Sequence, residues 1–286
     1  MTDRRWLVDT EWLAARLEAP DIVVVDGSWH LPTAGRDAHA EYLEAHIPGA
    51  IFFDIDDIAD KSTNLPHMLP SPEAFASRMR KLGVGDGKRV VVYDSVGLFS
   101  APRVWWTFRV MGHNDVVVLD GGLPKWQAEG RPVESGPVRR QERHFTARRH
   151  AGMVADLDDV RRAVASGEAE IVDARSAERF EGRAPEPRPG LKSGHIPGSR
   201  NLPYSRLLTP DGRLKPREEL EAAFAEARLD LSRPLITSCG SGVSAAILSL
   251  ALAELGHRRT ALYDGSWAEW GGRDDTPIAT GPDGQP

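Results

Sequence analysis

The chain has 286 residues, of which 41% are hydrophobic and 27% are charged, and its formal net charge is −6. At roughly 150 residues per domain, this length favours two globular domains. The acidic balance argues against nucleic acid or an anionic membrane as the main partner. The one cysteine excludes an internal disulfide, a cysteine-rich zinc site and an iron–sulfur cluster. No His-x-x-His or His-Glu-x-x-His spacing occurs, so neither a metal site nor a cofactor is expected.

The N-terminal segment is charged and contains no apolar run long enough for a signal peptide. The longest apolar runs, at 22–25 and 116–119, have the length of strands and fall far short of the ~20 residues that span a bilayer. We therefore expect a soluble cytoplasmic protein without a membrane partner. A monomer and no nucleic-acid partner are expected as well.

Helical patterns alternate with short apolar runs along the whole chain. In the first half the predicted elements are a helix behind Thr10 as N-cap, a strand at 22–26, a helix at 73–82, and strands at 90–94 and 116–119. In the second half they are a helix after Asp156, a strand at 171–173, a helix at 218–227, a strand at 235–238, a helix at 243–255 and a strand at 260–263. Continuously apolar strands are typical of sheets covered on both faces, so an α/β fold with mostly parallel sheets flanked by helices is expected.

Four landmarks recur in the same order in both halves, 144 to 149 residues apart. They are an apolar run ending in Asp, the tetrapeptide His-Ile-Pro-Gly, a second apolar run, and an Asp-Gly segment ending in Trp, at 22–26 and 171–173, 46–49 and 195–198, 90–94 and 235–239, and 119–126 and 263–270. A small drift in spacing is what duplication followed by loop insertions leaves. The prediction is two tandem domains at 1–135 and 153–286, joined by a linker at 136–152. The arginines of 131–150 suit a solvated linker better than an anion-binding patch.

The single thiol lies between a predicted strand and a predicted helix, in Cys239-Gly-Ser-Gly-Val-Ser-Ala245. The glycines at 240 and 242 permit backbone conformations closed to other residues, so several N–H groups can converge on the sulfur. The helix dipole contributes ~0.3–1 kcal/mol, up to ~2 when partly buried. Each N–H bond to a charged acceptor adds ~1.5–3 kcal/mol. Two or three such bonds favour the thiolate at neutral pH, so this loop predicts a nucleophilic cysteine rather than an inert one.

Two other chemistries share parts of this loop. A cysteine phosphatase needs Cys-x5-Arg, and Ala245 stands where that arginine would be. The run 240–245 also matches a dinucleotide-binding fingerprint, with Asp264 as the acid that would bind the ribose. The first half has no glycine fingerprint at the matching place, Asp94-Ser-Val-Gly-Leu98, so a nucleotide site is not expected.

In these residues the sequence resembles the rhodanese family, and within it the tandem-domain 3-mercaptopyruvate sulfurtransferases. The matching elements are the cysteine loop, both His-Ile-Pro-Gly segments, Asp264-Gly-Ser-Trp-Ala-Glu-Trp270 and Ser100-Ala-Pro-Arg-Val-Trp-Trp106. The resemblance implies two rhodanese-like domains, of which only the second is catalytic. Asp94 takes the place of Cys239 in the first domain, which is therefore expected to be chemically silent.

The activity implied by the resemblance is transfer of the sulfur of 3-mercaptopyruvate through a Cys239 persulfide to a thiol such as thioredoxin, or to cyanide, with release of pyruvate. Thiosulfate-preferring members carry basic residues after the cysteine, whereas Gly240 and Ser241 stand here. The alternatives are a thiosulfate:cyanide sulfurtransferase and a persulfide carrier module without turnover.

The resemblance also implies the residues of the site. The catalytic set is Cys239, Ser241, His46 and Asp37, and the substrate-binding set is Arg179, Arg188, Gly240, Gly242, Val243 and Ser244. A planar guanidinium can bind the carboxylate and the keto oxygen of the substrate with paired hydrogen bonds. His46 also suits a turn before a strand, and Asp37 also suits a loop salt bridge.

Overall fold

A computed structural model describes residues 4–282. Contacts divide the chain into two compact units. Unit 1 contains the first half up to residue 150 without 62–68, and unit 2 contains 62–68 and the second half from residue 151 without 210–214, which belong to unit 1. Each half therefore contributes one short segment to the other unit. Most of the predicted linker belongs to unit 1, and the domain boundaries at 135 and 153 stay a prediction.

Unit 1 is a parallel sheet with helices between its strands. Its elements are β1 (Leu7–Val8), α1 (Thr10–Ala14), β2 (Ile22–Asp26), α2 (Ala38–Glu44), β3 (Ile51–Phe52), α3 (Pro72–Lys81), β4 (Arg89–Tyr93), α4 (Ala101–Val110), β5 (Val116–Leu119) and α5 (Gly122–Ala128). The strands lie in the order β1-β5-β4-β2-β3, and every neighbouring pair is parallel.

Unit 2 repeats this arrangement. Its elements are β6 (Val154–Ala155), α6 (Leu157–Ser166), β7 (Glu170–Asp173), α7 (Ala177–Phe180), β8 (Arg200–Asn201), α8 (Arg217–Glu226), β9 (Leu235–Ser238), α9 (Ala245–Glu254), β10 (Thr260–Tyr263) and α10 (Ser266–Trp270). The parallel order β6-β10-β9-β7-β8 is the order of unit 1. The predicted fold of two α/β domains with parallel sheets is confirmed.

The central strands are buried because helices cover both faces of each sheet. All five residues of β2 and all four of β9 are buried, as continuously apolar runs predict. The predicted strands and helices all form, with ends that shift by a residue or two. The predicted N-cap of the first helix is wrong: Asp9 accepts the N–H of Trp12, and the Thr10 hydroxyl instead donates to Glu129. An aspartate at this position is as good a cap as threonine.

In each sheet the order in which successive strands are added changes side at one strand, β2 in unit 1 and β7 in unit 2. From β7 the chain steps to β8 on one side and returns to β9 on the other, and β2, β3 and β4 do the same in unit 1. In open parallel sheets the carboxyl ends of the two strands beside such a point form a crevice for ligands. Among the residues described, no helix is both long and apolar enough to cross a bilayer.

Candidate active site

Cys239 directly follows β9, at the crevice between β7 and β9 of unit 2. Its side chain is buried, and the loop after it leads into the N-terminus of α9. The N–H of Gly242 donates a hydrogen bond to the Sγ of Cys239 at 3.1 Å. Gly242 has φ +81, in the left-handed region that glycine adopts without strain. The loop therefore turns a backbone donor onto the sulfur at the positive end of a helix.

The short helix α10 donates hydrogen bonds to two carbonyl groups of this loop. The N–H of Trp267 donates to the carbonyl of Cys239, and the N–H of Ala268 donates to the carbonyl of Gly240, both at 2.9 Å. A trans peptide places its C=O and its N–H on opposite sides. Carbonyls held by α10 therefore leave the N–H groups of the same peptides directed to the other side of the loop.

A third carbonyl of the loop is held by a histidine that the sequence did not single out. Nδ1 of His67 lies 3.2 Å from the carbonyl oxygen of Ser241, and because a carbonyl only accepts, this nitrogen is the donor. The same peptide carries the Gly242 N–H that donates to the sulfur. His67 is buried and has φ +62. It belongs to the segment 62–68 of unit 2, and its position between Pro66 and Pro70 was the signal available in the sequence.

The predicted relay histidine, His46, lies in unit 1 in a setting that its repeat copy shares. His46 is fully buried, its Nδ1 is 2.7 Å from the carbonyl of Tyr42, and the two rings stack at 4.2 Å. His195 makes the matching bond to the carbonyl of Phe180 at 2.8 Å and stacks on that ring at 3.8 Å. Both histidines also form an isolated antiparallel bridge. The repeated His-Ile-Pro-Gly segment therefore has the same packing role in both units.

The predicted partner of His46 is used elsewhere. Asp37 is the N-cap of α2, and its carboxylate accepts the N–H groups of His39 and Ala40 at 3.0 Å. No hydrogen bond joins Asp37 to His46 among residues 4–282; the nearest carboxylate oxygen to Nε2 of His46 belongs to Glu134, at 4.0 Å. The participation of Asp37 and His46 in a relay stays a prediction.

The structure places several predicted substrate-binding residues around the cysteine loop. A Cβ at Gly240 would lie 3.0 Å from Nη2 of Arg179, so this glycine permits the close approach of the guanidinium. Val243 is buried, and Ser244 is the helical residue that precedes α9. Arg188 lies half-buried further along the loop that follows α7.

Four alternating charges extend from the end of β7 to Arg179. Arg175 pairs with Asp173 at 2.7 Å and with Glu186 at 2.8 Å, and Glu186 in turn pairs with Arg179. Burial alone would disfavour the charge of Arg175, but the two carboxylates outweigh it and raise its pKa above the usual range. The sequence did not predict this array. Within the described part of the chain, no group of three or more His, Cys, Asp or Glu side chains is arranged to hold a metal ion.

Comparisons with known proteins agree with the repeat. A model of the rhodanese-like domain matches residues 9–129 and 156–273. The 3-mercaptopyruvate sulfurtransferase of Escherichia coli is 45% identical over 274 residues, which cover 96% of this chain and 97% of that protein. The thiosulfate sulfurtransferase of Bos taurus is 44% identical over 273 residues, or 93% of this chain and 92% of that protein.

A solved structure shows the same similarity in three dimensions. The crystal structure of SseA from Escherichia coli, a 3-mercaptopyruvate sulfotransferase, matches with a TM-score of 0.85 and 43% identity, covering 92% of this chain and 98% of that one. The bovine and bacterial relatives are named for different sulfur donors at nearly equal identity. Overall identity therefore does not distinguish the two donors.

Proposed function

The chain belongs to the rhodanese family, and we propose that it takes the sulfur of 3-mercaptopyruvate, holds it as a persulfide on Cys239 and passes it to a thiol or to cyanide, with release of pyruvate. The observation that carries this proposal is the 3.1 Å bond from the Gly242 N–H to Sγ of Cys239. A donor aimed at the sulfur stabilises negative charge there before attack and again when the acceptor takes the outer sulfur.

In the first step the Cys239 thiolate attacks the sulfur of 3-mercaptopyruvate. An S–S bond forms, the C–S bond breaks, and its electron pair stays on carbon as the enolate of pyruvate, which takes up one proton. The substrate sulfur keeps its own proton, so the enzyme carries Cys–S–SH. In the second step an acceptor thiolate attacks the outer sulfur, and the Cys239 thiolate is regenerated.

The choice of donor is supported by the residues that touch the loop. Gly240 and Ser241 follow the cysteine, at positions where basic residues would be needed to bind a dianionic donor. Arg179 lies against Gly240, where its guanidinium can pair with a carboxylate. A persulfide carrier needs the cysteine but not this arginine, so the arginine favours the enzyme. Thiosulfate is proposed as a second, weaker donor because relatives of similar identity are named for it.

We further propose that His67 and Ser241 assist the proton transfer to the enolate. The contact of the His67 ring with the Ser241 peptide supports this, since it brings a titratable group against the loop that holds the sulfur. His67 is therefore favoured over His46 as the histidine of the reaction. Thioredoxin as acceptor, the monomeric state and a cytoplasmic location stay predictions from the sequence.

Replacing the sulfur tests the proposed function. We expect C239S to fold like the wild type and to release no pyruvate from 3-mercaptopyruvate, because a hydroxyl cannot form a persulfide. Wild-type protein treated with donor and no acceptor is expected to gain the mass of one sulfur atom, and C239S none. Pyruvate release by C239S at the wild-type rate would show that the mechanism is wrong.

A further inference from the structure

We propose that Glu186 is a positioning residue for Arg179 and, through its charge, a determinant of donor specificity. It orients the arginine toward the cysteine loop and cancels part of its positive charge, so that a monoanionic carboxylate donor is favoured over a dianion. This inference rests on the proposed function, in which Arg179 binds the carboxylate of 3-mercaptopyruvate.

Both carboxylate oxygens of Glu186 accept hydrogen bonds from arginine side chains, although Glu186 lies in a loop. Oε1 accepts Nη1 of Arg175 at 2.8 Å and Nε of Arg179 at 3.2 Å. Oε2 accepts Nη2 of Arg179 at 2.5 Å. The Glu186 side chain is only 2% exposed, so water competes little for these hydrogen-bonding groups. A side-on pair through Nε and Nη2 fixes the plane of the Arg179 guanidinium.

The pairing with Glu186 determines which N–H groups of Arg179 remain available to a ligand. The guanidinium carries five N–H donors in a rigid fork, and Glu186 takes one edge of it. Arg179 makes no other hydrogen bond to residues 4–282, so Nη1 and the second N–H of Nη2 are left for a ligand. Nη2 is the atom that lies beside Gly240. The remaining N–H of Nη2 is therefore next to the loop that carries the nucleophile.

Glu186 is itself held firmly. Its partner Arg175 is fully buried, pairs with both oxygens of Asp173 and donates to the carbonyl of Gly194 at 2.9 Å. The Arg175 guanidinium also lies 4.4 Å from the centre of the Trp267 ring. Glu186 cannot turn away without leaving a buried arginine partly unpaired, which is costly. The arginine that meets substrate is thus oriented by a packed, preorganised shell.

The charges of the array cancel. Asp173 and Glu186 each carry one negative charge, and Arg175 and Arg179 each carry one positive charge. Attraction to a net positive site is twice as large for a dianion as for a monoanion at the same distance. At Arg179 the neutral array therefore reduces that advantage for thiosulfate, while the oriented N–H donors still match a planar carboxylate and keto group.

The test compares kcat/KM for 3-mercaptopyruvate and thiosulfate on one preparation of each variant. The ratio of the two values does not depend on how much of the preparation is folded. In E186Q we expect the KM for 3-mercaptopyruvate to rise about tenfold with kcat within about threefold, because ground-state binding is lost. The thiosulfate to 3-mercaptopyruvate ratio is expected to rise by about tenfold or more.

Two further variants separate charge from structure. Glu181 lies in the same loop and pairs with the exposed Arg183. E181Q therefore removes an equal charge without touching Arg179, and its ratio should stay within about twofold of the wild type. E186D keeps the charge and should keep the ratio even where both activities fall.

Three outcomes would count against the inference or its premise, and each is distinguishable. An unchanged ratio in E186Q would mean that Glu186 only supports the structure. An equal shift in E186D and E186Q would mean that its charge does not select the donor. Wild-type enzyme that releases no pyruvate from 3-mercaptopyruvate would overturn the proposed function itself.

Discussion

The turn after the central strand of each sheet holds a carboxylate in unit 1 and a thiol in unit 2. Asp94 follows β4 as Cys239 follows β9, and both side chains are buried. The Asp94 carboxylate accepts five backbone N–H groups at 2.7–3.0 Å, those of Val96, Gly97, Phe99, Ser100 and Ala101. At this place the fold therefore directs backbone N–H groups at the side chain in both units, five of them at Asp94 and that of Gly242 at Cys239. The residue at this position decides whether the turn is structural or reactive.

A second difference lies at the end of the neighbouring strand. Asp26 accepts the N–H of Ser28 at 2.9 Å, and Asp173 accepts the N–H of Arg175 at 2.9 Å, so both units make the same turn. In unit 1 the Ser28 hydroxyl then accepts the N–H of Ser95, which closes the Asp94 turn. In unit 2 the arginine begins the array of charges described above. The residue at this shared turn, Ser28 or Arg175, thus separates a closed loop from one that carries buried ion pairs.

Removing the carboxylate of unit 1 is expected to have the largest effect on stability. In D94A five N–H groups lose their acceptor, and each buried unmet donor costs ~1–3 kcal/mol, so the free energy of unfolding should fall by about 4 kcal/mol or more. Urea unfolding and calorimetry measure it. Formate at high concentration should recover part of the loss, because it can bind in the cradle, the set of five N–H groups that the Asp94 carboxylate vacates.

The control for this prediction is D115A. Asp115 pairs with Arg89 at the surface of the same unit, and its removal should cost less than about 1 kcal/mol. If D94A were as stable as D115A, or if formate protected both equally, the cradle would not be an anion site.

Replacing His67 tests whether unit 2 supplies the histidine of the reaction. We expect H67Q to lower kcat for 3-mercaptopyruvate by about 100-fold, the usual size of a lost acid or base. H257Q is the control: His257 has two hydrogen bonds in the same unit, but it lies before β10, at the opposite end of the strands from Cys239. If H46Q cost as much as H67Q, the relay predicted from the sequence would stand.

Substitutions of two loop glycines, one in each unit, are expected to have the smallest effects and to separate stability from activity. Gly97 has φ +124, and a Cβ there would lie 3.0 Å from the carbonyl oxygen of Gly212, so G97A should lose ~1–3 kcal/mol of stability and keep its kcat/KM. G242A, at φ +81, strains the turn that aims an N–H at Sγ and should lower kcat/KM by about tenfold. Thermal unfolding and pyruvate release measure the two effects. The contrast fails if both variants lose the same property.

Elements with a strong local pattern could be predicted, and contacts between distant side chains could not. The strand before Cys239 and the helix after it formed where apolar runs and spacing indicated. The arginine-rich segment predicted as a linker contains Phe145, which is buried against Phe75 and Phe108 in unit 1. A single aromatic residue among arginines has no periodicity, so its burial was not readable from the sequence.

The sequence by itself determined the duplicated α/β fold and the position of the reactive sulfur, because strand burial, the repeat and the glycine turn are encoded in neighbouring residues. Only the tertiary structure decided that His67 lies against the carbonyl of Ser241 and that Glu186 pairs with Arg179. The physical reason is that a hydrogen bond or an ion pair between residues far apart in the chain depends on how the elements pack. No local pattern of residue types records that packing.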